Sequence, residues 1–224
     1  MIMIPALLLL GLPAHHAIAS SRVGVIGMGL ASWLEFHRQR KIDYGIAAFI
    51  TLALVSGSFV GVHMVLQLSN VLLKKLIAVL TLLSLLVLLL KPEAGVKKLN
   101  KKPTILSYCI SFLLLFFIGI YAGFFGGISG SLVSLVFIFL FGHTFIQTIA
   151  NRKPAFSLFA ITNAAIFLLA GKVIYDVAFS LLAGAFIGSW IGAHYAEKIG
   201  DRRIKKMFLF MVFLMSLKLL LGGG

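Results

Sequence analysis

The chain is a succession of apolar runs separated by short polar breaks. The runs fall at about 1–12, 23–36, 45–68, 76–90, 104–124, 131–141, 145–169, 174–196 and 207–221. Several approach the roughly 20 residues that a helix needs to cross a bilayer core. Lipid offers no partner to an unpaired backbone N–H or C=O, so such segments must be helices. The shorter runs must tilt, break or extend through polar flanks. Of the 224 residues 61% are apolar and only 12% are charged. These figures exclude a disordered tail, a disulfide scaffold and an ordinary soluble enzyme. The expected fold is all-α, a polytopic transmembrane helical bundle with about seven to nine crossings.

Lys and Arg number 20 against 6 Asp and Glu, a formal net charge of +14. Two clusters stand out: Lys91, Lys97, Lys98, Lys101 and Lys102, then Lys198, Arg202, Arg203, Lys205 and Lys206. Neither is interleaved with aromatics that could stack on bases, so no nucleic-acid partner is expected. Basic loops held on the cytoplasmic side explain them. The single Cys109 can form neither an internal disulfide nor a Cys-based zinc site, and reads as a small apolar filler.

Sliding the sequence by 131 brings like residues together. Gly11 meets Gly142, Ile18 meets Ile149, Ala19 meets Ala150, Lys41 meets Lys172, and Tyr44 meets Tyr175. Gly57-Ser58 meets Gly188-Ser189, Gly61 meets Gly192, His63 meets His194, and Lys74-Lys75 meets Lys205-Lys206. Residues 5–90 and 136–221 read as two copies of one unit, an arrangement typical of secondary transporters. The chain divides into a first transmembrane repeat (1–90), a basic cytoplasmic linker (91–103) and a second repeat (104–224). The second copy opens with an extra helix, about 104–124, and the glycine-rich stretch Gly119–Gly130. Nothing upstream of Met1 matches it, so the first repeat is expected to lack its opening helix. Ala17-Ile18-Ala19 resembles a signal-peptidase site. Residues 1–19 nevertheless align with 132–150, which makes them a retained membrane segment. Five crossings per full unit, with 128–142 counted as one, make the copies inverted. That arrangement puts both basic clusters inside, as the positive-inside rule requires.

Three constellations could carry chemistry. The run Tyr121 to Ser131 contains Gly123, Gly126, Gly127 and Gly130 between two apolar segments. A half-helix starting near Ser129 would aim free N–H groups and a partial positive charge at an anion. Glycines four apart (Gly119, Gly123, Gly127) also suit close helix packing alone. The second constellation is Gln147, Asn151, Arg152 and Lys153, matched in the first half by Ser20, Ser21 and Arg22. Arg152 lies about ten residues, or about 15 Å, past Gly142. A cation at that depth either lines a cavity facing an anion or snorkels to an interface. The third is histidine. His15, His16, His63, His143 and His194 read as interfacial caps, with proton sensing by His63 or His194 as the alternative. None pairs with a carboxylate at helical spacing, so no metal and no cofactor are expected. The six acids lie at or near loop edges, which leaves no catalytic set. No glycine–lysine phosphate loop supports ATP-driven transport.

These residues resemble the sulfite exporter TauE/SafE family of membrane permeases. The likeness rests on Gly123-Phe124-Phe125-Gly126-Gly127-Ile128-Ser129-Gly130 and the apolar run to Gly142. It continues in Ala150-Asn151-Arg152, Gly184 to Ala193, and Arg203-Ile204-Lys205-Lys206-Met207, with Pro5 to Pro13 in the first half. Ala150 stands where the family commonly has Thr, and the first glycine motif is absent. The resemblance implies a non-enzymatic permease for a small anion such as sulfite or a sulfonate, working by alternating access. Its setting would be a bacterial cytoplasmic membrane. The substrate-binding candidates are Gly126, Gly127, Gly130, Asn151, Arg152, Arg22 and Ser21. The expected partners are the small anion and the lipid bilayer, with oligomeric state open. The rival reading is a non-transporting membrane scaffold or assembly factor.

Overall fold

A computed structural model describes residues 2–89 and 103–199, with side chains to residue 83 in the first stretch and to residue 188 in the second, and the isolated Phe210 and Leu214. The linker 91–103 (Pro103 apart), the basic cluster from Arg202 on, the side chains of His194 and Lys198 and the run 207–221 (Phe210 and Leu214 apart) lie outside the described residues.

Among the described residues the chain forms eight helices and no strand. They are α1 (Met3–Leu9), α2 (Ala14–Arg38), α3 (Tyr44–Gln67), α4 (Asn70–Leu89), α5 (Ile105–Phe124), α6 (Ser129–Phe141), α7 (Phe145–Leu169) and α8 (Tyr175–Ile199). Three of them, α2, α3 and α5, are long and apolar enough to cross a membrane. Local chemistry sets several starts. Asp43 Oδ1 accepts from the N–H groups of Gly45 and Ile46 at the head of α3. Thr104 with Ser107, and Thr144 with Gln147, form reciprocal capping boxes on α5 and α7. Each satisfies donors that a helix start leaves open. Gln147, read from sequence as part of a polar patch, is therefore a cap.

Two boundaries differ from the sequence expectation. The apolar runs 1–12 and 23–36 do not define the first helices. Instead α1 has 7 residues and α2 begins at Ala14, carrying Ser20, Ser21 and Arg22 inside it. The 128–142 segment is a 13-residue helix, about 20 Å long and short of a core about 30 Å thick. It folds back along α5, since the Tyr108 and Phe141 rings meet edge-on at 4.9 Å.

The packing departs from that of a soluble protein: polar side chains are buried beside an apolar core while many large apolar ones face outward. Ser20, Ser21, Arg22, Ser58, Ser129, Ser134, Asn151, Ser157 and Asn163 are buried. Leu52, Phe59, Val60, Leu113, Phe117, Phe179 and Ile187 are exposed. Water would drive the second group inward; lipid imposes no such demand, and polar groups collect between helices. Cys109 also lies exposed on α5, not in the packed interior that a filler would occupy.

The most extensive helix contact is between α3 and α5. It is backbone against backbone. A methyl group at Gly57 or Gly61 would run into the Phe116 and Ile120 carbonyls, and one at Gly119 or Gly123 into those of Leu54 and Ser58. The order of these contacts makes α3 and α5 parallel. On α8, a methyl group at Gly184 or Gly188 would meet no atom of the described residues within 4 Å.

Gly61→Leu should therefore destabilise the protein by at least the 1–3 kcal/mol typical of overpacking, because a carbonyl cannot rotate aside. Gly188→Leu should leave stability within about 0.5 kcal/mol, as surface changes do. Thermal unfolding of both variants in detergent checks the contrast; equal effects would contradict the α3–α5 crossing.

Candidate binding site at a helix break

The glycine-rich stretch divides into two kinds of position. Gly119 and Gly123 belong to the α3–α5 crossing. Gly126 and Gly130 instead make room for guanidinium groups. Gly126 has φ +79°, a conformation costly for side-chain-bearing residues. A methyl group on it would sit 3.2 Å from Arg22 Nη1. At Gly130 a methyl group would come within 2.5 Å of Arg152 Nη1.

The break itself comprises Phe125 to Ile128. Upstream, α5 ends with its carbonyls pointing into the break. Arg22 reaches in from α2 and donates from Nη2 to the Gly123 carbonyl at 2.8 Å. Downstream, α6 starts at Ser129, as the sequence suggested. Arg22 is 4% exposed, and its Nε is buried with no partner among the described residues. A buried cation of this kind is costly in a membrane. The partial negative charge at the α5 C-terminus offsets part of that cost.

Around Arg22 lies a cavity of about 100 Å³. Ser21, Arg22 and Val25 line it from α2, Phe125 and Gly126 from the break, and Ser129 from the start of α6. Met3, Ile4, Phe156 and Phe159 complete the wall. Ser21 Oγ donates to the Ile18 carbonyl at 2.6 Å and Ser129 Oγ to the Gly126 carbonyl at 2.9 Å. Both hydroxyls are thus engaged as donors.

Of the sequence candidates, the structure brings Ser21, Arg22 and Gly126 to this cavity. Gly127 lies in the same break. Gly130 and Arg152 stack on each other next to it and are not part of its lining. Arg152 Nη1 is buried without a partner among the described residues. Asn151 is placed differently: its Oδ1 accepts from the Asp43 backbone N–H at 2.8 Å. Ser20 makes a counterpart tie, its Oγ accepting from the Ile174 N–H at 3.2 Å. Asn151 near the start of α7 meets the residue beyond the end of α2, and Ser20 near the start of α2 meets the residue beyond the end of α7. The two helices are therefore antiparallel. Phe125, Phe156 and Phe159 escaped sequence reasoning, because in a chain with 20 phenylalanines nothing marks those that face a cavity. Two histidines act as connectors, while His63 Nδ1 lies 2.8 Å from the Phe59 carbonyl of its own helix. His15 bridges Asn70 Oδ1 and the Val65 carbonyl, and His16 Nδ1 lies 2.8 Å from the Lys172 carbonyl. No cluster suited to a metal occurs among the described residues.

The family model for Sulfite exporter TauE/SafE matches residues 1–219. The chain is 30% identical over 225 residues to a "Probable membrane transporter protein" of Haemophilus influenzae, covering 100% of this chain and 87% of that one. It is 27% identical over 219 residues to the "Probable membrane transporter protein YfcA" of Escherichia coli strain K12, covering 97% and 80%. A "Probable membrane transporter protein ORF9" of a Sinorhizobium species is 26% identical over 223 residues, covering 98% and 84%. No solved structure matches the chain.

Asn151→Ala and Ser20→Ala should each cost about 0.5–1.5 kcal/mol, the net worth of a typical hydrogen bond, because both ties are half-buried. Lying at opposite ends of the α2–α7 pair, the two losses should add to within about 0.5 kcal/mol. Equilibrium unfolding of the single and double variants measures this. Neutral single variants would show that the ties carry no stability.

Proposed function

Because the chain belongs to the sulfite exporter TauE/SafE family, we propose that it moves a small sulfur-containing anion across a bacterial cytoplasmic membrane by alternating access. Membrane transport of a small substrate is the activity that the family assignment carries. The anionic charge of the substrate is read from one observation: Arg22, buried and with Nε unpartnered, faces a cavity at the head of a half-helix. Its guanidinium supplies directional donors and the α6 N-terminus a partial positive charge, the chemistry that holds an oxyanion. Arg22, Ser21, Gly126 and Gly127 form the first station. Gly130, the second residue of α6, and Arg152 on α7 form a second, and Asn151 anchors the segment that carries Arg152.

The transport cycle is read from the internal symmetry. Both α2 and α7 have 25 residues and start 131 positions apart. Arg40 and Gly171, also 131 apart, both have positive φ. The ties Asp43–Asn151 and Ile174–Ser20 exchange under the same offset. Antiparallel α2 and α7 fit an inverted pair of repeats, 1–90 and 104–224. Rocking of one repeat against the other would expose the cavity to each side in turn. The relatives, all bacterial, support a multi-pass protein of the cytoplasmic membrane.

The test is uptake of radiolabelled sulfite and methanesulfonate by reconstituted vesicles. Arg22→Gln should lower the rate at least tenfold, and Arg152→Gln by a smaller factor. No flux of either anion, or flux indifferent to both substitutions, would overturn this reading.

A further inference from the structure

One buried amide, Asn163, ties nothing together. It lies on α7, fully buried, and neither Oδ1 nor Nδ2 has a hydrogen-bond partner among the described residues. A primary amide offers two donors and an acceptor with two lone pairs. Leaving such groups buried and unpaired costs stability. In membrane proteins they ordinarily bond a neighbouring helix, as Ser20 and Asn151 do here in joining α2 and α3 to the α7 region. Asn163 carries the cost without making the tie.

Its place along the helix is specific. Arg152, Phe156, Phe159 and Asn163 follow at steps of four, three and four, which puts them on one stripe of α7. Phe156 and Phe159 line the Arg22 cavity, and Arg152 presses on Gly130 beside it. Asn163 is the next residue of the stripe beyond the cavity, about 16 Å from Arg152 along the helix axis. The buried apolar residues form two clusters. One contains Ile18, Val62, Phe125 and Phe167, the other Leu54, Leu115, Val133 and Phe159. The cavity lies where the two meet, since Phe125 and Phe159 both line it. Asn163 lies at the same seam, one turn from Phe159 and one turn from Phe167.

We infer that Asn163 is a further station on the ligand's path, outside the helix break: it takes the ligand on Nδ2 as this leaves the Arg22 cavity along the α7 stripe, toward the end of the membrane where α7 ends. The inference rests on the permease reading above and adds a residue to its path. The stripe then has a cation at one end, the aromatic cavity wall in the middle and a neutral amide at the other end. A hydrogen bond from an amide holds an anion about half as strongly as one from a guanidinium. A station that must pass its ligand on needs that weaker hold.

The experiment compares thermal unfolding of the purified full chain with vesicle uptake of whichever of labelled sulfite or methanesulfonate the wild type transports. Asn163→Leu replaces the amide by an apolar group of similar size. It should unfold at the wild-type temperature or above, because no hydrogen bond is lost. Its maximal uptake rate should fall at least fivefold. The anion should still stabilise it as it does the wild type, because Arg22 and the cavity are intact. Asn163→Ser, which keeps a donor, should be at least twofold faster than the leucine variant. A smaller fall in rate with leucine removes Asn163 from the path. Unfolding well below the wild-type temperature makes the amide a tie between helices and overturns the inference. Loss of anion stabilisation together with rate places the amide in the Arg22 cavity and overturns a separate station. A serine variant no faster than leucine shows that the donor is not what the path uses. Absence of uptake of either anion by the wild type overturns the permease reading itself.

Discussion

The hydrogen bond from Arg22 to the Gly123 carbonyl joins everything else in this structure. A guanidinium buried among helices needs acceptors, and a regular helix has no spare carbonyls to give. The chain supplies one by ending α5 at Phe124, in the middle of a glycine-rich stretch. Gly126, with its positive φ, turns the backbone. The next helix then starts at Ser129, which lines the same cavity. One break thus provides both a partner for the cation and an N-terminus that favours an anion beside it.

That arrangement demands accurate placement of α2 and α5, which share the Arg22 tie. The glycine crossing of α3 and α5 fixes one side at backbone contact. The ties from Ser20 and Asn151 fix the antiparallel α2–α7 pair at both ends. Backbone groups and short side chains make all of these contacts. Such contacts hold the helices at close range.

Much of this could be read from the residues. The helical class follows from apolar run length, and the helix start near Ser129 from the glycines before it. What the sequence could not resolve was which role each glycine plays. Gly119 and Gly123 have the same four-residue spacing as packing glycines elsewhere, and only the facing helix separates them from Gly126 and Gly130. Helix boundaries failed where hydropathy was the guide. Ser20, Ser21 and Arg22 interrupt the apolar pattern, yet α2 runs through them because their partners lie on other helices. Asn151 beside Arg152 reads as a ligand pair in one dimension. In three, its oxygen satisfies the N–H of Asp43, 108 residues away in sequence, and no local pattern encodes that. The cavity phenylalanines were hidden for a simpler reason: in lipid, an apolar side chain carries no signal about which way it faces.

The most direct measurement of the central claim is the local electrostatic field at the head of α6. Ser129→Cys in a Cys109→Ser background places one thiol on the cavity wall. Its modification rates by anionic and cationic methanethiosulfonates, each normalised to the reagent's rate with free thiol, report the field that Arg22 and the α6 N-terminus create. The anionic reagent should be favoured at least tenfold, ethanesulfonate should slow it, and Arg22→Gln should remove the preference. Equal rates, or a preference for the cation with Arg22 in place, would contradict an anion site at this break.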